Sequence, residues 1–183
     1  MTMGTVLSRF GRLRGDRRGV ALIEFAFAVP ILAILFVGGY QTMDAVSAYR
    51  KVTTTVRTLA DLTTQSTSTT QAGAQQFLAA SQQVMVPYST SNAVLRISQV
   101  KIDITGKSTI DWSQAVNGTG YAKGSSVTLP VGLVVPGTYL IYAEINYQYL
   151  PGIASNMLGP IPLRDTLYMS PRNSASVPCS DCP

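Results

Sequence analysis

Few side chains in this sequence are of types that do chemistry, and the most unusual of them is Glu24. The chain contains no histidine, which removes the commonest general base and the commonest metal ligand. Glu24 is the only charged residue in the apolar run VALIEFAFAVPILAILFVGGY, residues 20–40. A carboxylate at the centre of a bilayer costs about 2.5–3.5 kcal/mol on insertion scales. Its presence there therefore needs a specific reason.

The other reactive side chains have ordinary interpretations. Cys179 and Cys182, in PCSDCP, are the only cysteines, and a zinc site needs about four ligands. In an exported domain the two would form a small disulfide; otherwise they are a free or intermolecular thiol pair. Asp103 and Asp111 flank a predicted hairpin and are interpreted as solvated turn and strand residues. No nucleophile has an activating base, so we predict no enzyme activity, catalytic residue, metal or cofactor.

Basic residues are concentrated before the apolar run. Five of the 14 Lys and Arg residues lie in residues 1–18, together with only one of the nine acidic residues. A basic segment in front of an apolar run follows the positive-inside rule, which predicts a cytoplasmic leader over residues 1–19. Nucleic-acid binding would require basic residues on a folded face, and none cluster after residue 18. We therefore expect no nucleic-acid partner.

A long helix must position Glu24. Residues 20–40 would span about 30 Å as a helix, which matches a bilayer core, and Pro30 is a defect that membrane helices tolerate. Beyond this run an apolar residue recurs every three or four positions, as in an amphipathic helix. These positions are Ala45, Tyr49, Val52, Val56, Leu59 and Leu62. We predict a membrane-spanning and amphipathic helix over residues 20–63, followed by a domain over residues 64–183.

The rest of the chain predicts a small antiparallel sheet of three to five strands. A Ser/Thr/Gln tract predicts a loop at 63–71, and residues 72–86 predict a short helix that ends before Pro87. Alternating or β-rich segments predict strands, with the proline-containing segment restricted to a sheet edge. These segments are residues 94–104, 109–116, 127–137, 138–150 and 163–170. The fold class is therefore α+β, with the amphipathic helix covering one face of the sheet.

Two details of the sheet remain open at this point. The apolar residues of the first strand change phase between Ile97 and Val100, and a β-bulge near Ser98 would reconcile the two halves. Trp112, the only tryptophan, is either part of the sheet core or part of a binding surface.

A short motif spans the boundary between the basic leader and the apolar run. In RRGVALIEF, Gly19 directly follows two arginines, and Glu24 with Phe25 comes five residues later. This resembles the processing site of type IV pilin-like proteins. The resemblance implies that a membrane prepilin peptidase cuts after Gly19, that Val20 becomes the new N-terminus, and that Glu24 is the glutamate at the fifth position of the mature chain.

Further segments resemble TadE, the pilin-like proteins of bacterial tight-adherence (Flp) pilus systems. These segments are RTLADLTTQ, WSQA, YQYLPG and YMSPRNS, so the resemblance runs from about residue 17 to the C-terminus. The major Flp pilin is much shorter than this chain, and TadG proteins are generally much longer. One departure is Gln148-Tyr149-Leu150, where a YpY pattern would be expected.

The resemblance implies a pilin-like fold and a role as a minor pilin or pseudopilin in pilus assembly. The protein would cross the inner membrane once, with its N-terminus in the cytoplasm and its C-terminal domain in the periplasm. Its partners would be the prepilin peptidase, other pilin-like proteins and the pilus assembly platform. It would either enter the extracellular fibre or prime its assembly.

Alternatives remain for the role of Glu24 and for the processing of the chain. Glu24 could lie at the headgroup level of a simple anchor instead of pairing with the α-amino group of Val20 in a neighbouring subunit. The whole chain could then be an uncleaved, signal-anchored periplasmic binding protein. Ordinary signal-peptide cleavage after AVS, residues 45–47, would instead leave Ala48 as the first residue.

Overall fold

The fold is taken from a computed structural model, which describes residues 19–153 and 159–182. Residues 1–18 of the predicted leader lie outside the described residues. In chain order the elements are α1 (Val20–Thr64), α2 (Gln71–Gln82), β1 (Ala93–Ile102), β2 (Ser108–Val116), β3 (Tyr139–Tyr149) and β4 (Ile161–Met169). A long N-terminal helix and a four-stranded antiparallel sheet confirm the predicted α+β class.

The chain divides into two compact units between Met43 and Asp44, in the middle of α1. The second unit contains the sheet, α2 and the second half of α1. Among the described residues, every buried apolar side chain lies in this second unit. The second half of α1 is therefore part of a folded domain.

The four strands are ordered β2-β1-β3-β4, and each neighbouring pair is antiparallel. β1 and β2 form the predicted hairpin. The Asp103 carboxylate closes its turn, because Oδ1 accepts hydrogen bonds from the backbone N–H groups of Thr105 and Lys107 at 2.7 and 2.9 Å. Gly106 has a φ of +84° in this turn, a conformation that glycine adopts without steric cost.

The main core lies between one face of the sheet and the second half of α1. Val52, Val56 and Leu59 of the helix are at most 1 % exposed. The strand residues that complete this core include Leu95, Ile97, Ile141, Ala143 and Ile145. Burying one such aliphatic side chain contributes about 1.5–3 kcal/mol. The structure thus confirms that an amphipathic helix covers one face of the sheet.

The predicted helix stripe is wrong at Tyr49, which is 49 % exposed. The buried row instead runs from Ala48 through Val52 to Thr55, with spacings of four and three that follow the period of an α-helix. Thr55 is tolerated in this row because its hydroxyl donates to the Lys51 carbonyl at 2.8 Å. The hydroxyl donor of Thr55 is therefore satisfied inside the core.

A second, smaller core lies on the opposite face, at the hairpin end of the sheet. Val100 and Ile102 of β1 cluster there with Ile110 and Leu140, and Leu129 covers them. Leu129 belongs to the connection 117–138, part of which was predicted as an edge strand. This prediction is wrong: no strand forms in the connection, because its prolines lack the N–H groups that a ladder needs. The connection covers a face of the sheet instead.

The change of phase in β1 marks the passage from one core to the other. β1 pairs with β3 in unbroken register over residues 93–101, so Leu95 and Val100 lie on opposite faces. The register shift occurs only in the pairing with β2, immediately before Val100, where Asp111 is the extra residue. The β-bulge expected near Ser98 is therefore in the partner strand.

Candidate processing and assembly site

Gly19 and Val20 lie at the start of α1. Gly19 immediately precedes the helix, whose first residue is Val20, and both residues are exposed. A methyl group built on Gly19 would meet no atom within 4 Å. Packing among the described residues therefore neither covers the Gly19–Val20 peptide bond nor requires a glycine at that position.

Glu24 lies one helical turn after Val20. Four residues correspond to a rise of about 6 Å in an α-helix, and residues i and i+4 share a face. Glu24 is exposed, and it is the only charged residue among residues 20–43. No Lys or Arg of the described chain forms an ion pair with its carboxylate. The neighbouring Phe25 is 68 % exposed.

The apolar half of α1 is exposed on all sides. Every residue from Gly19 to Phe36 is exposed, including large side chains such as Phe27 at 73 % and Phe36 at 77 %. The helix continues through Pro30. By length and composition, α1 is the one helix of the described chain that could cross a membrane. Such a surface would cost free energy in water, so these side chains require an apolar surrounding.

Asp44 connects α1 to the far end of β3, a role that the helical pattern did not reveal. Its carboxylate accepts hydrogen bonds from the hydroxyls of Tyr88, at 2.8 Å, and Tyr149. The two tyrosine rings meet edge to face with centroids 6.3 Å apart. Burial and, second, the hydrogen bond to Asp44 raise the pKa of Tyr88 to about 12, and the same causes raise the pKa of Tyr149.

Cys179 and Cys182 are joined as a disulfide, with their Cα atoms 5.5 Å apart. The ring encloses Asp181, whose carboxylate accepts a hydrogen bond from the backbone N–H of Gln71 at 2.6 Å. Gln71 is the first residue of α2, and a carboxylate is favourable at a helix N-terminus. The bonded sulfurs do not provide thiolates for a metal, and the disulfide holds Asp181 beside the first turn of α2, whose N-cap residue is Thr70.

The segment before this disulfide is fixed in the main core. Val177 is fully buried, its N–H donates to Gln99 Oε1 at 2.6 Å, and its carbonyl accepts from Trp112 Nε1 at 2.8 Å. Trp112 itself is 1 % exposed. Of its two predicted roles, the structure therefore supports sheet core.

Asp103 and Asp111 each serve the fold. The hydrogen bond from the Thr105 hydroxyl, followed by that from the Lys107 backbone, holds the pKa of Asp103 below its usual range. Asp111 accepts a hydrogen bond from Gln99 Nε2 at 2.7 Å. These contacts confirm their interpretation as turn and strand residues.

Comparison with known proteins leaves the family of this chain open. No protein-family model, no curated protein and no solved structure matches it. The resemblance to TadE proteins therefore stays a prediction from the sequence motifs around Gly19 and in the C-terminal domain.

Proposed function

We propose that this chain is a TadE-like minor pilin or pseudopilin that takes part in the assembly of a tight-adherence pilus. In this proposal a prepilin peptidase removes residues 1–19 on the cytoplasmic side, and the first half of α1 crosses the inner membrane. The unit that begins at Asp44 lies in the periplasm. Its partners are the peptidase, other pilin-like proteins and the assembly platform, and its role is structural and involves no catalysis.

One observation carries the proposal: the apolar half of α1 is exposed on all sides and has a single charge, Glu24, one turn from Val20. A simple anchor requires only apolar residues, and a charge within it makes insertion less favourable. Cutting after Gly19 would create a cation beside this charge. The new α-amino group of Val20 has an ordinary pKa of about 7.7–8.0 and is mostly protonated at neutral pH.

In an assembled bundle, the Glu24 carboxylate of one subunit would meet the Val20 α-amino group of a neighbouring subunit. Attraction between unit charges is strong in a low-dielectric surrounding, and pairing offsets the cost of desolvation. Removing one partner of a buried pair costs about 3–5 kcal/mol, because the other charge is left alone. The pair would fix the register between helices, as single buried polar residues do in coiled coils.

Substitution of Gly19 tests the processing step. Gly19→Ala should block removal of the leader, because it changes the residue that precedes the proposed cut. Gly38→Ala is the matched control and should be processed normally. A methyl group at either glycine meets no atom within 4 Å, so neither variant should disturb the fold. The masses of the proteins extracted from membranes report the result. Processing of Gly19→Ala at the same site and rate as the unmodified chain would contradict the proposal.

Substitution of Glu24 separates processing from assembly. Glu24→Gln removes the charge with little change in shape, so it should permit the cut but reduce incorporation into pili at least tenfold. Glu24→Asp keeps the charge and should retain part of the incorporation. Normal pilus formation by the Glu24→Gln strain would defeat the pairing argument. An uncut protein that keeps Met1 would favour the alternative, a signal-anchored periplasmic binding protein.

A further inference from the structure

A groove on the face of the sheet opposite α1 is formed by two rows of side chains. Strand register places Arg96, Glu144 and Thr166 side by side across β1, β3 and β4, and it places Val94, Asn146 and Arg164 in the adjacent row. The segment Gly118–Thr119 forms a wall of this groove, whose volume is about 410 Å³. This volume lies near the lower end of the range for small-molecule sites.

The first row is internally paired. Arg96 Nη1 lies 3.1 Å from Glu144 Oε2, Arg96 Nε donates to the Thr119 carbonyl at 3.0 Å, and the guanidinium lies 4.2 Å from the centroid of the Tyr121 ring. The other Glu144 oxygen accepts from the Tyr121 and Tyr142 hydroxyls at 3.1 and 2.7 Å. These bonds fix both side chains in place and neutralise the Glu144 charge.

The second row is not paired. The Arg164 side chain is exposed, and its guanidinium makes no ion pair or hydrogen bond with any residue in the described ranges. The Asn146 amide also has no hydrogen-bond partner there, and its oxygen is shut off from solvent. An amide oxygen that is buried without a partner destabilises the groove in its unoccupied form. A groove that keeps a fixed ion pair beside an unpaired cation and an unpaired amide is therefore incomplete by itself.

Gly118 keeps the groove in its present form. A methyl group at this position would lie 2.6 Å from Val94 Cγ1, closer than carbon atoms pack. A side chain at residue 118 would require Val94 or the wall of the groove to shift.

We propose that this groove binds a small carboxylate that also carries hydroxyl groups, of the kind found in uronic-acid sugars. The planar guanidinium of Arg164 matches a carboxylate in two-point geometry. The Thr166 hydroxyl both donates and accepts hydrogen bonds, and the Asn146 amide nitrogen donates them, so both suit hydroxyl groups. Glu144 is paired with Arg96, which leaves the groove with one uncompensated positive charge. This site is independent of processing after Gly19.

Calorimetric titration of the full chain in nanodiscs of phosphatidylcholine, a lipid without net charge, tests the proposal with three probes. Glucuronate carries both the carboxylate and the hydroxyls, glucose only the hydroxyls, and acetate only the carboxylate. Glucuronate should bind saturably in the millimolar range, corresponding to about 4 kcal/mol. Glucose and acetate should each bind at least tenfold more weakly.

Two variants and one control locate the site. Arg164→Gln should weaken glucuronate at least tenfold, to the level of glucose, and Thr166→Val should weaken it about threefold. Both residues are exposed on an edge strand, so both variants should keep the fold, which circular dichroism verifies. Arg57→Gln, on α1, is the matched control and should bind glucuronate normally.

Three results would overturn the proposal. Absence of saturable glucuronate binding at about 20 mM would exclude a site of the expected affinity. Equal binding of acetate would mean that charge alone is recognised. An equal loss in Arg57→Gln would mean that glucuronate does not bind in this groove.

Discussion

The two halves of α1 have the same secondary structure but opposite surroundings. In residues 20–36 apolar side chains occupy every face and all are exposed, whereas in residues 44–64 one face is buried and the other carries polar and charged residues. The apolar side chains of the first half pack against nothing in the described chain, whereas the apolar face of the second half packs on the sheet. Apolar content therefore does not identify a core by itself; the distribution of apolar residues around the helix does.

The same substitution in each half of α1 gives the largest expected difference between the two halves. Leu59→Ala should destabilise the unit that begins at Asp44 by about 2–5 kcal/mol, because Leu59 is fully buried and its truncation leaves a cavity. Leu35→Ala should change its stability by less than about 0.5 kcal/mol, because Leu35 is 65 % exposed. Guanidinium unfolding in detergent, followed by Trp112 fluorescence, reports on this unit alone.

This pair of variants has a clear contrary outcome. If Leu35→Ala shifts the Trp112 transition as far as Leu59→Ala does, the first half of α1 contributes to the folded core. The two halves would then not differ in the way described.

The next largest effect concerns the C-terminal disulfide of the folded unit. A disulfide that closes so short a loop contributes about 1–2 kcal/mol in the chain-entropy description. Reduction with dithiothreitol should therefore lower the unfolding midpoint, and a Cys179→Ser, Cys182→Ser double variant should have the lower midpoint with or without reductant. Asp181→Ala should lose about 0.3–1 kcal/mol, because it removes the carboxylate that accepts from the first backbone N–H of α2. A midpoint unaffected by reduction would contradict a stabilising role for this disulfide.

The smallest expected effect appears at alkaline pH and concerns the tyrosines beside Asp44. Burial and hydrogen bonding raise the pKa of Tyr88 to about 12 and raise that of Tyr149. Because the folded state holds these protons more tightly than the unfolded state does, their contribution is complete below pH 10 and is lost as the pH rises toward 12. Tyr149→Phe should flatten the decline in stability over this interval. An equal decline in the variant would exclude Tyr149 as its source.

Local patterns in the sequence predicted the helices and the four strands, but they also predicted an edge strand between β2 and β3 that is absent, and they did not reveal all of the contacts. The helix was expected over residues 20–63 and extends from Val20 to Thr64, because apolar periodicity is a property of neighbouring residues. The alternation of β3 and the additional strand β4 were predicted for the same reason. Tyr49 was placed wrongly because three- and four-residue spacings fit more than one helix face.

The contacts that the sequence did not reveal join residues far apart in the chain. Val177 meets Gln99 and Trp112 across 78 and 65 residues, and Tyr149 meets Asp44 across 105. No local pattern specifies such pairs, since their formation depends on the packed sheet. The phase change in β1 was visible in the sequence, but its cause, two cores on opposite faces, depends on the connection 117–138 folding over the sheet.

The most direct test of the proposed function is the N-terminal residue of the protein purified from its native membrane. Intact mass together with N-terminal sequencing should give Val20, because the proposed cut follows Gly19 and creates the amine that Glu24 pairs with. Met1 at the N-terminus would contradict processing, and Ala48 would show removal of an ordinary signal peptide. Either of these two results would end the pilin interpretation.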